Sequence, residues 1–242
     1  MTAISTKGLV KRYGKITAVN GLDLEIRKGE LFSLLGVNGA GKTTTIKILT
    51  CLTKPSEGDA WVGGYSILRA PGQVKGLIGV SPQETAVAPN LTVKENLELI
   101  CGIHGLPREE MMGRIQTLSR ELSLDTAMDR RAGKLSGGWQ RRASIAMALI
   151  SQPEILFLDE PTLGLDVIAR QELWETIRNL KGRVTIVLTT HYMEEAAALS
   201  DRIGIMQNGS LLAVGTAQEL MASVGAEDFE TAFIAIVKGE NR

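Results

Sequence analysis

The sequence predicts an α/β protein built on a parallel or mixed β-sheet, with a β-rich start and a helical block set into its middle. Three observations carry this reading. The short apolar runs LFSLL, ILFLD and TIVLTT have the length of buried strands, and the last two flank the helical stretch DVIARQELWETIRNLKG, the β-α-β alternation of a parallel sheet. The first third reads as strands bounded by glycine and proline. From about Leu91 to Ile150 helical signals dominate instead.

In chain order, GLDLEI alternates toward the charged turn RKGE, and LFSLL is a buried strand that feeds a glycine-rich loop and the helix-like TTIKILTCL. DAWVGG and LIGVSPQ read as further strands. The segment LTVKENLELICGIHG opens with a Thr cap and a Glu three residues on, and helical spacing continues after PREE and around WQRRASIAMALI, whose apolar stripe reads as core. ILFLDE and VTIVLTTH then restore strands that end in polar residues. No internal repeat, low-complexity tract or long linker is visible. Residues 1–242 are therefore read as one domain: 1–90 a β subdomain and the first part of the core, 91–150 a helical subdomain, and 151–242 the rest of the core and a tail.

Composition excludes some roles. With 242 residues, 44% hydrophobic, the chain can bury a large core. Lys plus Arg equals Asp plus Glu at 27 each, so no basic excess grips a nucleic-acid backbone, and no nucleic-acid partner is expected. The start MTAISTKGLVKRYG lacks the apolar core of a signal peptide, and no apolar stretch approaches the roughly 20 residues needed to span a bilayer. Cys51 and Cys101 have no CxxC spacing and lie in apolar surroundings, which favours buried thiols in a reducing compartment and a cytoplasmic location.

The chemistry begins at residues 36–44, GVNGAGKTT, between the LFSLL strand and the next helix. Gly36, Gly39 and Gly41 allow a tight turn in which consecutive N–H groups and a helix N-terminus face one anion. This is a phosphate-binding P-loop. Lys42 is expected along the β- and γ-phosphates of ATP and the Thr43 hydroxyl on Mg²⁺, while Asn38, Ala40 and Thr44 complete the nucleotide-lining loop.

In ILFLDEP two carboxylates end a strand, where neighbouring side chains point to opposite faces and so take different tasks. Asp159 suits the Mg²⁺ shell. Glu160 suits a general base acting on water. His191, one of two histidines, ends the VTIVLTT strand, where its ring N–H can reach a γ-phosphate oxygen and hold water and base in line. His104 has no such context. Gln83, in SPQE, offers a carbonyl and an amide to the metal or to the water. Tyr13 can stack on a purine or simply pack in its hairpin. The P-loop, Asp159-Glu160 and His191 should all emerge beyond the carboxyl ends of the strands of one parallel sheet.

Together with LSGGWQRR at 135–142, the ordered set GVNGAGKTT, SPQE, ILFLDEP, GLD and TTHYMEEA makes the chain resemble the nucleotide-binding domain of ATP-binding cassette (ABC) transporters over nearly its whole length. The resemblance implies a P-loop NTPase core with an N-terminal antiparallel β subdomain and an inserted α-helical subdomain. It also implies head-to-tail pairing, as a homodimer or with a paired ATPase subunit: Ser136 and Gly138 would contact the γ-phosphate of ATP bound to the other subunit, and Asp166 would lie between them. The stretch TTHYMEEAAALSDRIGIMQNGSLLAVGT and the closing EDFETAFIAIV look like ATPase subunits of drug and antibiotic exporters, which join separate integral membrane permease subunits on the cytoplasmic face of the cell membrane. Residues 91–134 are the expected docking segment. Trp139 stands where this family commonly has Gln, which leaves its side chain without an assigned role. The alternative class is a soluble ABC ATPase, which tandem cassettes, long coiled-coil insertions or a basic patch would favour; none is visible.

Overall fold

A computed structural model describes residues 1–239. Strands β1 (Thr2–Tyr13) and β2 (Ile16–Arg27) form an antiparallel hairpin that turns at Gly14, where φ is +56°. β3 (Leu31–Leu35) is buried at every residue and leads through the P-loop to α1 (Lys42–Leu49). β4 (Glu57–Val62) returns to the free edge of β1, and β5 (Tyr65–Ser66) completes a four-stranded sheet of order β2-β1-β4-β5. α2 (Pro71–Leu77), with proline at its start, returns the chain to β6 (Ile78–Ser81).

The helical segment follows. α3 (Val93–Ile103) starts with a complete Thr92/Glu95 capping box, as the sequence implies, and α4 (Arg108–Glu121) and α5 (Gly137–Leu149) come after it. Then β7 (Ile155–Asp159), α6 (Val167–Leu180), β8 (Thr185–Thr190) and α7 (Met193–Leu199) repeat the β-α pattern. β9 (Arg202–Gln207) and β10 (Ser210–Gly215) form a hairpin, and α8 (Ala217–Val224) and α9 (Phe229–Lys238) end the described chain.

The second sheet has six strands in the order β10-β9-β3-β8-β7-β6, parallel except for β10. Its central strands read as unbroken apolar runs because both faces are covered, yet period-two geometry still sorts their side chains. Phe32 and Leu34 of β3, Phe157 of β7 and Val187 of β8 face α1 and the antiparallel sheet, packing with Leu9, Leu22 and Ile26. Leu31, Leu156, Leu158, Ile186 and Leu188 face the other way, against α5, α6 and the helical segment. Each such fully buried side chain contributes about 1.5–3 kcal/mol, and together they fix the strand ends from which the site is built.

α5 joins the helical segment to the core: residues 141–149 are buried throughout, and the helix lies against β6 and β7 as well as α3 and α4. One expectation needs correction. Cys101 is fully buried, but Cys51 is half-buried just beyond α1.

Candidate functional site

The turn from β3 into α1 is shaped by what it lacks. Gly41 is the α1 N-cap at φ +103°, with no side-chain cap and no acidic residue in the first turn. By contrast α3, α6, α8 and α9 each spend a Thr or Asp side chain there. The uncapped N–H groups of α1 are thus left for an external anion. Space also demands glycine: a Cβ on Gly36 would lie 2.3 Å from the Met206 carbonyl oxygen, and one on Gly41 would lie 2.3 Å from that of Ala18.

Three strand ends bring charged groups to this loop. Lys42, 5% exposed, donates to the carbonyls of Gly36 at 2.7 Å and Val37 at 3.2 Å, and pairs with Glu160 Oε1 at 3.3 Å. At the end of β7, Asp159 Oδ1 accepts from Thr43 Oγ1 at 3.1 Å and from Thr189 Oγ1 at 2.5 Å. One residue on, Glu160 Oε2 lies 2.6 Å from His191 Nδ1. An ionised carboxylate can only accept, so Nδ1 carries the proton in this pair. In a neutral ring Nε2 is then an acceptor; the expected donation to a phosphate oxygen needs a protonated imidazole.

The expectation that Asp159 and Glu160 point to opposite faces is not met. Glu160 has φ +50°, a left-handed kink that ends strand geometry, with its N–H donating to Thr189 Oγ1 at 3.0 Å and the Thr189 carbonyl at 3.1 Å. Both carboxylates therefore border the same loop, separated by partners rather than by sheet faces: hydroxyls around Asp159, a cation and an imidazole around Glu160.

A pocket of about 490 Å³ results. Its lining includes the run Asn38–Thr44 together with Gln83, Glu160 and His191, and adds Ala18 and Leu163, which motif reading did not supply. Leu163 had a signal, since it lies between DEP and GLD; Ala18 had none, because its role comes from the β2 backbone passing Gly41. Gly36 contributes the carbonyl that holds Lys42, and Asp159 sits one hydrogen bond behind Thr43. Tyr13 is outside the lining, 47% exposed at the end of β1, with the Lys11 ammonium 4.9 Å from its ring centroid.

Ser136 and Gly138 also lie outside this pocket. Ser136 is the exposed N-cap residue of α5, yet its hydroxyl makes no capping bond. Gly138 is buried, and a Cβ there would meet Ala169 Cβ at 3.1 Å, a tight approach that already favours glycine where α5 packs on α6. Asp166 caps α6 by accepting from the Ala169 N–H at 2.9 Å. Trp139 turns away from the cap, its ring 4.3 Å under the Arg142 guanidinium and packed against the buried helical cluster.

The arrangement suits a polyphosphate. Backbone donors and one buried ammonium face the loop, and a carboxylate oriented by an imidazole sits beside them, able to take a proton from water. Thr43, Gln83 and Asp159 offer the oxygen donors a hard cation prefers. Among the described residues no group of three or more His, Cys, Asp or Glu forms a self-contained metal site, so a cation here needs phosphate and water oxygens to complete its shell. A cavity of about 590 Å³ between α4 and the α5 terminus is roomier but holds none of this chemistry.

Known proteins agree with the geometry. The family model described as ABC transporter matches residues 19–163. The chain is 40% identical over 227 residues to the daunorubicin resistance ATP-binding protein DrrA3 of Streptomyces coeruleorubidus, covering 93% of this chain and 72% of that one. It is 41% identical over 220 residues to the Nod factor export ATP-binding protein I of Ralstonia nicotianae, covering 90% and 68%. Among solved structures, the dimeric post-hydrolysis state of the ATP-binding cassette MJ0796 bound to ADP and Pi superposes with a TM-score of 0.79 at 27% identity, covering 88% of this chain and 98% of that one. Shared fold, motif order and sequence identity over nine-tenths of its length converge on one conclusion: the chain belongs to the ABC transporter family, as an ATP-binding subunit that hydrolyses ATP.

Proposed function

We propose that this subunit powers export through separate membrane subunits, hydrolysing MgATP as a head-to-tail dimer with a second copy or a paired ATPase. One observation supports the pairing above all. The P-loop pocket gathers Lys42, Glu160 and His191, whereas the uncommitted Ser136 hydroxyl stands on another exposed surface of the same chain. A second chain facing the P-loop would supply that hydroxyl and the α5 N-terminus to the nucleotide. Gly138 then contributes through its backbone N–H alone, since its Cα face is packed on Ala169.

In this reading Lys42 and the Gly36–Thr44 loop bind the phosphates, Glu160 takes the proton of the attacking water, and His191 holds Glu160 in place. Tyr13, although outside the pocket lining, would stack on the base, and Asp166 would lie at the dimer boundary. Mg²⁺, near Thr43, Asp159 and Gln83, would neutralise charge on the β- and γ-phosphates. Residues 1–242 act as one unit. Leu99, Ile103 and Met112 of α3 and α4, 47%, 71% and 47% exposed, give the segment 91–134 an apolar surface for a membrane partner. Among the described residues no helix is long and apolar enough to cross a membrane, which suits a peripheral subunit on the cytoplasmic face. The two relatives named for resistance and export favour outward transport.

The test is purification of the tagged chain from membranes and reconstitution of what co-purifies into vesicles. A polytopic partner and MgATP-driven movement of an amphiphilic dye, abolished by Glu160→Gln, are expected. Recovery without any polytopic partner, or movement unaffected by Glu160→Gln, rejects the proposal.

A further inference from the structure

Helix α5 follows Ser136, and its next turn holds the loop that carries Gln83. Arg141, 4% exposed, donates from Nη1 to the Pro82 carbonyl and from Nη2 to the Gln83 carbonyl, each at 2.6 Å. Three residues along the same face, Ser144 Oγ lies 2.9 Å from Ser81 Oγ, both side chains buried. Residues 81–83 are thereby fastened, one after another, to a single face of α5. Gln83 lines the P-loop pocket, so two parts of the nucleotide site share this clamp.

The clamp is an unusual use of a guanidinium. Among the described residues Arg141 forms no ion pair. Burial pushes its pKa down, while the charge of Asp159 pushes the other way. A buried cation without a close counter-ion is costly, and an apolar side chain of similar size fills such space with less penalty. What an apolar side chain cannot do is present two parallel donors in a rigid plane to two successive carbonyls.

We propose that Arg141 is a positioning residue for ATP hydrolysis: it ties the Gln83 backbone to the signature helix, so that Gln83 at its own P-loop follows the placement of the Ser136 end of α5. This rests on Gln83 and Ser136 belonging to the two halves of the nucleotide site. Seating Ser136 on the partner's nucleotide then sets Gln83 in the chain's own pocket, and the two sites of a dimer are completed together.

A double-mutant cycle in the full chain tests this, using Arg141→Gln, Gln83→Ala and the pair. Arg141→Gln should lower kcat about tenfold or more while KM and the equilibrium Kd for MgATP stay within about threefold, because the Lys42 loop is untouched. In the Gln83→Ala background the same substitution should have almost no further effect. Arg141→Lys, which keeps the charge but not the planar fork, should restore part of kcat, and it carries the cycle if Arg141→Gln does not fold. A loss of kcat that persists undiminished without the Gln83 side chain overturns the inference, as does a Kd weakened in step with kcat, or full activity in Arg141→Lys. Glu160→Gln in the same assays separates the levels. If it turns over ATP like the wild type, the site assignment fails; if it is inactive and the cycle is additive, the Arg141 inference alone fails.

Discussion

Glu160→Gln isolates the charge of the candidate base while preserving its shape. In the structure that charge faces Lys42 Nζ at 3.3 Å and His191 Nδ1 at 2.6 Å, with Glu160 6% exposed. Removing the proton acceptor should lower kcat by about 10²–10⁴, a barrier increase of about 3–5 kcal/mol. Binding should move the other way. At 3.3 Å and an effective dielectric constant near 20, the attraction between Glu160 and Lys42 is about 5 kcal/mol before desolvation is subtracted. Phosphates must compete with that pairing for Lys42, so the neutral variant should hold ATP at least as tightly as wild type, and tight ATP without turnover should accumulate the closed dimer. Phosphate release gives kcat, equilibrium titration with a fluorescent nucleotide gives Kd, and sedimentation velocity gives the dimer fraction. A kcat within about threefold of wild type would falsify the base assignment. An ATP affinity more than about tenfold weaker would show that Glu160 supports the P-loop instead.

The remaining predictions probe the loop and the core behind it. Lys42→Ala should weaken ATP binding at least about tenfold and abolish turnover; it also strips a buried carboxylate of its cation, a loss of about 3–5 kcal/mol, which adding Glu160→Gln should relieve in denaturant melts. If the double variant is no more stable than Lys42→Ala, the pair is not coupled as its 3.3 Å separation implies. Gly41→Ala should fail to bind nucleotide in calorimetry, since its Cβ would sit 2.3 Å from the Ala18 carbonyl oxygen at φ +103°; wild-type affinity would refute the role of that close approach. Glu195 is fully buried, accepting from the Trp174 indole N–H at 3.0 Å while its Oε2 makes no hydrogen bond. Burial pushes its carboxyl pKa up against the Trp174 donor, and the charge of Glu160 adds to the rise. The folded chain thus holds this proton through the range in which the unfolded chain releases it, so stability is lost as pH rises above ordinary carboxylate values, by at most about 1.4 kcal/mol per pH unit. Glu195→Gln should therefore gain on wild type between pH 5 and pH 8 in urea unfolding, and a constant gap across that range would exclude a neutral buried acid.

What could be read from the sequence was whatever a contiguous stretch specifies. The P-loop needs glycines, Lys42 and Thr43 within nine residues, and the central strands announce themselves as apolar runs, so fold class and pocket were both visible. The β9–β10 hairpin also has its signal in Asn208-Gly209, both residues at positive φ. Long-range geometry left no such trace. Nothing in ILFLDEP announces that Glu160 takes φ +50°, because the kink is held by Thr189 from another strand. Arg141 looked like one of two adjacent arginines on a helix; its clamp on Pro82 and Gln83 spans 59 and 58 residues.

These long-range contacts have a common form: each joins a motif residue to a strand or helix that carries a different motif. Thr189, two residues before His191, bonds both Asp159 and the Glu160 backbone. Trp174, on the helix capped by Asp166, bonds Glu195 on the helix that follows His191. Arg141, on the helix that follows Ser136, bonds the Gln83 carbonyl. The motif side chains supply the chemistry, but their relative positions depend on these connectors, which bring no reacting atom of their own. Substitutions at Thr189, Trp174 or Arg141 should accordingly change turnover more than nucleotide affinity, because the P-loop that binds the phosphates is held by its own glycines and by Lys42, whereas the alignment of Glu160, His191 and Gln83 is not.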